Sequence, residues 1–280
     1  MKILITTDSS CDLTKEQHDR IKLKKVPFKV ILGEKEYVDG VDIKNTDIYE
    51  YVKNTNTLPK TSCVNAGEYE DFFNEILKDC DAIIHISLSF ALSSSGSNAV
   101  VAANNIGNHK IKVIDSESLS SGVALLVLSC YDKILENKDL DTIVQELEEE
   151  KKRVQASFVI NTLSFLHKGG RCSSLQLLGA NLLGIKPRIS LKDGKMGMTK
   201  KYTGKINQVA IKYFNDILKE CPPNKKRVFV TYSSPVPAKD EMLQNLKQMG
   251  FEEVVECQAS STICSHCGPE TIGVLYITEK

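Results

Sequence analysis

The sequence predicts an α/β protein of two α/β domains. The N-terminal one carries a mostly parallel sheet flanked by helices, and the C-terminal one a mixed sheet with helices. Three observations lead there. In the first half, short apolar runs of strand type alternate with helical patterns, the signature of parallel strands joined by crossovers. In the second half, a hairpin signal at Asp193-Gly194 interrupts that alternation. A length of 280 residues with 41% hydrophobic residues is enough for two cores of ordinary size. The boundary is expected near residue 160, giving domains of 1–160 and 161–280.

Residues 2–7 read as the first strand, with Asp8-Ser9-Ser10 at its carboxyl end. Thr14 to Gln17 has the form of a capping box opening a short helix. Residues 25–32 are β-rich, and Gly33 to Glu36 suggests a turn into Tyr37-Val38. Residues 47–53 read as helix, and Leu58-Pro59 breaks the chain before Thr61-Ser62. Residues 68–77 place Tyr69, Phe72, Phe73 and Ile76 on one helical face. Strand 82–86, a helix from about 97, strand 111–114 and a helix from about 121 follow. A charged amphipathic helix over 140–153 connects the halves. Beyond it come strand 156–160, a helical turn over 163–168 stopping at Gly169-Gly170, and strand 185–191. A helix over 205–218, strand 227–232, a helix over 239–249 and strands 253–257 and 272–277 complete the chain.

Composition excludes several functions. Lys plus Arg and Asp plus Glu are 36 each, so the basic surface of a nucleic-acid binder is missing. No apolar run reaches the ~20 residues of a membrane span, which leaves at most transient contact with a membrane surface. Residues 1–7 run straight into Asp8 as a strand, unlike a signal peptide. Nine cysteines at irregular spacing read as reduced thiols of a cytoplasmic protein. The one close pair, Cys264 and Cys267, lacks a second ligand pair for zinc. It precedes Gly268-Pro269, so it is expected in a loop. No metal or cofactor is expected.

The richest chemistry lies between the strand 82–86 and its following helix, where Ser87, Ser89, Ser93, Ser94, Ser95 and Ser97 cluster around Gly96. A strand, a Ser/Gly turn and a helix start make an anion site. The first helical N–H groups lack intrahelical partners, and the helix dipole favours negative charge there. Asp8-Ser9-Ser10, Ser89 to Ser95 and Asp115 to Ser118 each follow a strand, and they should crowd the carboxyl-end rim where α/β sheets bind ligands. Taken alone, Thr61-Ser62 reads as a helix cap, Arg171 as half of an ion pair, and His266 as a histidine bonded to backbone. Asp8 and Asp115 read as braces of loops. The apolar stretches 119–128 and 175–183 read as core.

A series of motifs in order is similar to the DegV family of bacterial proteins. It runs through Thr7-Asp8-Ser9-Ser10-Cys11-Asp12, Val26-Pro27-Phe28, Tyr37-Val38-Asp39-Gly40, Thr61-Ser62, Leu92-Ser93 and Val113-Ile114-Asp115-Ser116. It continues through Leu163 to Ser173, with Gly169-Gly170-Arg171 at its centre, then Ile185-Lys186-Pro187 and His266-Cys267-Gly268-Pro269. The resemblance implies a long-chain fatty acid buried between the two domains. It implies the role of binding subunit in a fatty-acid kinase, in which a separate ATP-binding subunit phosphorylates the carboxylate and the binding subunit holds the acyl-phosphate. Such a subunit is not itself an enzyme. Carried over by position, Thr61 and Ser93 bond the carboxylate, Arg171 and His266 stand near it, and Ser62 and Ser94 are neighbours. Where the family has Gln-Pro-Ser after Thr-Ser, this chain has Cys63-Val64-Asn65; Leu-Ser-Gly-Thr is replaced by Leu92-Ser93-Ser94-Ser95, and Gly-Pro-Gly by Gly268-Pro269-Glu270. The alternative is a stand-alone phosphotransferase or hydrolase using Asp8 or His266 on a small anionic substrate. No GxxxxGK[ST] loop supports it.

Overall fold

A computed structural model describes residues 1–107, 109–172 and 184–279. Strands β1 (Ile3–Asp8), β2 (Lys24–Val26), β6 (Ala82–Ser87) and β7 (Ile111–Asp115) form a parallel sheet in the order β2-β1-β6-β7. Every residue of β6 is buried, as expected of a central parallel strand covered on both faces. That strand also buries His85. Its Nδ1 lies 2.9 Å from Thr6 Oγ1, and its ring sits edge-on to Tyr69 and Phe73. Burial drives its pKa down to about 3, so the imidazole is neutral at pH 7.

The β-rich stretch 25–32 is two strands in two sheets. Pro27, which has no N–H, separates β2 from β3 (Lys29–Leu32). Strand β3 joins β4 (Lys35–Val38) and β5 (Lys60–Ser62) in a small antiparallel sheet, ordered β4-β3-β5. Helix α1 (Lys15–Ile21) opens with the capping box at Thr14 and Gln17. Helix α2 (Asn45–Thr55) lies in the excursion between β4 and β5, and α3 (Ala66–Leu77) follows β5.

Strands β8 (Val154–Val159), β9 (Ile185–Lys192), β10 (Lys195–Thr203), β11 (Pro223–Tyr232), β12 (Glu253–Gln258) and β13 (Ile272–Thr278) form the second sheet. Its order is β10-β9-β8-β13-β11-β12, antiparallel except for the β11–β12 pair. The second sheet therefore begins at Val154. A division at 160 would leave β8 with the first sheet, but β8 is hydrogen-bonded between β13 and β9.

Helices α4 (Ser95–Ile106), α5 (Ser121–Leu135) and α6 (Leu140–Glu150) serve the first sheet, and α6 tightens into a 3-10 turn at Lys151–Arg153. Helix α7 (Ser164–Gly169) follows β8, and α8 (Ile206–Glu220), α9 (Ala238–Gln248) and α10 (Ser261–Cys267) complete the fold. Helix α5 is the structural centre. Ten consecutive residues from Ser121 to Cys130 are buried, so it is enclosed all round rather than amphipathic. It packs on β1 and β6 on one side and on β8, β11 and β13 on the other. One core results, joining Ile84 and Ile86 of the first sheet through Leu125 and Leu126 to Ala156, Phe229 and Leu275 of the second.

A shared core ties the two sheets' stabilities together. Leu125 is fully buried there. Leu125→Ala should cost about 2–5 kcal/mol and lower one cooperative denaturant transition. Two separated transitions, with only one moved by the substitution, would show that the sheets unfold independently.

Candidate functional site

A cavity of about 260 Å³ opens between the strand-end loops of the first sheet and the face of the second. Leu88, Leu92, Ser93 and Ser94 come from the β6–α4 turn, and Leu119 and Ser120 from the loop before α5. Phe158, Thr231 and Leu275 rise from β8, β11 and β13. Phe28, Leu88, Leu119, Phe158, Leu166 and Met196 form one apolar cluster, which is the greasy wall of the cavity.

Thr61, Ser93, Ser94, Arg171 and His266 all line the cavity. Thr61 is the middle residue of β5, paired with Val30 of β3. Side chains alternate along a strand, so Thr61 and Cys63 reach the cavity while Ser62 between them is not among its lining residues. The cap of α3 is Asn65, whose side chain accepts from Glu68 N at 3.0 Å, so Thr61-Ser62 is not the cap.

Ser94 is the N-cap residue of α4 at φ −70°, and its side chain makes no capping bond. That right-handed conformation suits a serine, so the absence of glycine at this position leaves the turn intact. The glycine the turn requires is Gly96. A Cβ there would stand 2.0 Å from the Phe90 ring and 2.7 Å from Ser87 Oγ. Ser93 Oγ accepts from Ser95 N at 3.2 Å, which leaves its own hydroxyl hydrogen free to donate.

His266 Nε2 lies 2.8 Å from Thr61 Oγ1. Its Nδ1 is buried, has no partner among the described residues, and backs onto Gly169, where a Cβ would stand 3.0 Å away. A buried N–H left unpaired is rarer than an unpaired acceptor, which assigns the proton to Nε2. Nε2–H then donates to Thr61 Oγ1, and the Thr61 hydroxyl hydrogen is free to point into the cavity. Burial, reinforced by the Arg171 charge, lowers the His266 pKa to about 4, so the ring is neutral at pH 7. Arg171 itself is exposed at the rim and donates from Nη1 to Gly169 O at 2.6 Å.

Most other hydroxyls of the wall are already engaged. Thr231 Oγ1 bonds Ser121 Oγ, Ser233 Oγ donates to Gly268 O, Thr271 Oγ1 donates to Cys267 O, and Ser120 Oγ donates to Asp12 Oδ2. Thr262 Oγ1, also in the wall, is buried without a hydrogen-bond partner among the described residues, so unspent donors remain on Thr61, Ser93, Ser94, Thr262 and Arg171. Such donors can hold an anionic head group, and the apolar wall can hold a tail.

Asp8 and Asp115 are braces. Asp8 accepts from Ser10 N at 3.0 Å and Leu88 N at 2.8 Å, and Asp115 from Phe90 N at 3.2 Å and Glu117 N at 2.9 Å. Neither lines the cavity. Cys264 and Cys267 correct the loop expectation. They stand one turn apart in α10, both buried with free thiols, because the helix runs on to Gly268 before stopping. Of the apolar stretches read as core, Leu119 lines the cavity and 123–128 enter the shared core. The stretch 175–183 and Ser173 lie outside the described residues. Met196, Thr231 and Gly273 are lining residues that the sequence did not reveal. Alternation along β10, β11 and β13 is their only signal, and it does not say which face meets a cavity.

A neutral His266 has a consequence for stability. Its folded pKa of about 4 lies below the ordinary 6.5, so between those values the unfolded chain binds the extra proton. Its contribution is full above pH 6.5 and lost as pH falls towards 4. His85 acts in the same direction. The His266 ring should show no NMR titration above pH 5, and His266→Gln should remove part of the acid sensitivity. A ring titrating near pH 6.5 would overturn the assignment.

The sequence profile described as "Uncharacterised protein, DegV family" matches residues 2–279. A DegV domain-containing protein of Clostridium acetobutylicum is 30% identical over 279 residues, covering 99% of this chain and 98% of that one. Among solved structures, a fatty-acid-binding DegV family protein of Thermus thermophilus superposes with a TM-score of 0.89 at 28% identity, over 99% of this chain and 100% of that one. DegV of Bacillus subtilis, described as a fatty acid binding protein, gives 0.87 at 26% identity over both whole chains. The Fak B3 protein of Streptococcus pneumoniae, loaded with linoleic acid, shares the fold at 0.87 with 19% identity, again over both whole chains.

Proposed function

This chain belongs to the DegV family, and on that premise we propose that it binds a long-chain fatty acid in the cavity between its sheets. The observation that carries the reading is the make-up of the cavity lining, which combines one apolar cluster with hydroxyls and an arginine whose donors are unspent. A carboxylate accepts from the Thr61 and Ser93 hydroxyls, with Ser94 and Arg171 at the rim and Ser62 one residue behind the wall. His266 orients Thr61 by donating to its oxygen. Each methylene buried from water supplies about 0.8 kcal/mol before entropic costs, so the tail provides the affinity and the head group the register.

The protein is a carrier in this reading, not an enzyme. A separate ATP-binding subunit transfers the γ-phosphoryl group to a carboxylate oxygen, ADP leaves, and the cavity keeps the acyl-phosphate. Neutral donors suit that task. A buried ion pair would hold the carboxylate's charge tightly and resist its conversion, whereas hydroxyls bond carboxylate and acyl-phosphate alike. The rival phosphotransferase would need Asp8 or a basic His266. Asp8 lies behind the wall with its oxygens engaged, and His266 has its pKa depressed. Nine cysteines at irregular spacing suit a cytoplasmic carrier. Among the described residues, no helix is long and apolar enough to cross a membrane.

Organic extracts of natively purified protein should contain a fatty acid at near-stoichiometric level by mass spectrometry, set against a control protein. Thr61→Ala with Ser93→Ala should weaken binding of added oleate at least tenfold while the melting temperature of the empty protein changes little. Unchanged affinity would remove both residues from the head-group site. An empty protein that takes up no fatty acid would remove the carrier role.

A further inference from the structure

Helix α10 brings His266 to the cavity, yet its first turn is gripped by side chains that precede β5 in the chain. Ser260 N donates to Asp12 Oδ1 at 2.8 Å, and Ser261 N donates to Asp39 Oδ1 at 3.0 Å. Asn45 completes the grip, with Nδ2 donating to Ala259 O at 2.8 Å and Oδ1 accepting from Ser261 Oγ at 2.9 Å. The two amides held by carboxylates are consecutive, at the N-cap and first position of the helix. Both carboxylates are anchored behind. Asp12 Oδ2 accepts from Ser120 Oγ, and Asp39 Oδ2 accepts from Ser9 Oγ at 2.8 Å. Ser9 Oγ in turn accepts from the backbone N–H of Phe28, a residue of the cavity wall.

We propose that Asp12 and Asp39 are positioning residues for the ligand head group, fixing the first turn of α10 so that His266 meets Thr61; the ligand part of this rests on the fatty-acid reading above. Helix α10 has only seven residues, about 10 Å of rigid rod. A displacement at its first turn therefore reaches His266 in its last. Thr61 stands on β5 and His266 on α10, and a hydrogen bond between separate elements holds only while their spacing is set to a few tenths of an ångström. Two carboxylates are a costly way to cap one short helix. Burial raises the pKa of both, that of Asp12 to about 7. A plain serine or threonine cap would avoid that cost, and Ser260 stands at the N-cap without making a capping bond. The carboxylates reach across to the strand-end loops of the first sheet, which a local cap cannot do.

The test compares Asp39→Ala and Asp12→Ala with Leu246→Ala, a fully buried core substitution on α9 away from the cavity. Two readouts are used in the full-length protein: the dissociation constants of oleate and palmitate, and the Nε2 resonance of His266 in 15N-labelled protein. Both aspartate variants should lose at least tenfold in oleate affinity and move the Nε2 resonance. Leu246→Ala, with an equal or larger fall in melting temperature, should keep affinity within twofold. Asp39→Asn retains an acceptor for Ser261 N–H and should recover most of the affinity. Aspartate variants that match Leu246→Ala in both readouts overturn the proposal. If the alanine variants do not fold, Ser261→Pro decides. It deletes the N–H held by Asp39 at a helix position that tolerates proline, and Ser260 before it is already extended. Wild-type affinity and an unmoved resonance in that variant would equally overturn the proposal. If the wild-type protein binds neither fatty acid, the carrier reading fails by itself, and the His266 resonance alone settles whether the carboxylates position the ring.

Discussion

The whole arrangement depends on burying α5 between two sheets. Its residues from Ser121 to Cys130 leave no face for water, so each sheet must supply one wall of its sheath. The helix packs on strands of both sheets and joins them in one core. Leu119 and Ser120, the two residues before its first turn, already line the cavity. The cavity therefore adjoins the start of α5, and residues of both sheets line it.

Within that space, hydrogen-bond accounting separates structural hydroxyls from available ones. The chain places many Ser and Thr residues around the cavity, and a simple count would make all of them ligand candidates. Thr231, Ser233, Thr271 and Ser120 are engaged with protein partners, and a buried donor already engaged has little to offer a guest. Thr61 and Ser93 keep donor capacity because the bonds they make use their oxygens as acceptors, and Ser94 because its side chain makes no capping bond. The neutral state of His266 extends the pattern. A protonated ring would pair with a carboxylate, whereas the neutral one orients a hydroxyl instead.

The grip on α10 gives the site its composite character. Thr61 and Ser93 belong to the first half of the chain and His266 to the last twenty residues, and the bonds from Asp12, Asp39 and Asn45 join these parts at one point. The motif stretches around Thr7 to Asp12 and Tyr37 to Gly40 thus acquire a physical meaning. They hold the helix that completes the site rather than touching the cavity themselves.

Much of this was legible in the chain. Alternating apolar and helical periods specify parallel strands, the serine turn after β6 marks a helix start suited to an anion, and the ordered motifs point to Thr61, Ser93, Arg171 and His266, all of which line one cavity. Those signals are local or follow a pattern in order, and a sequence preserves both. It did not reveal that 25–32 changes sheets at Pro27, that β8 belongs to the second sheet, or that Cys264 and Cys267 share a helix. Strand partners are chosen by pairing across long separations, and a short helix held by distant carboxylates carries little propensity of its own. By itself the sequence determined the elements, the neutral charge balance and the residues Thr61, Ser93, Arg171 and His266 that line the cavity. Only the tertiary structure decided which strand faces meet, which hydroxyls remain unspent and which way the His266 proton points, because each depends on atoms brought together from opposite ends of the chain.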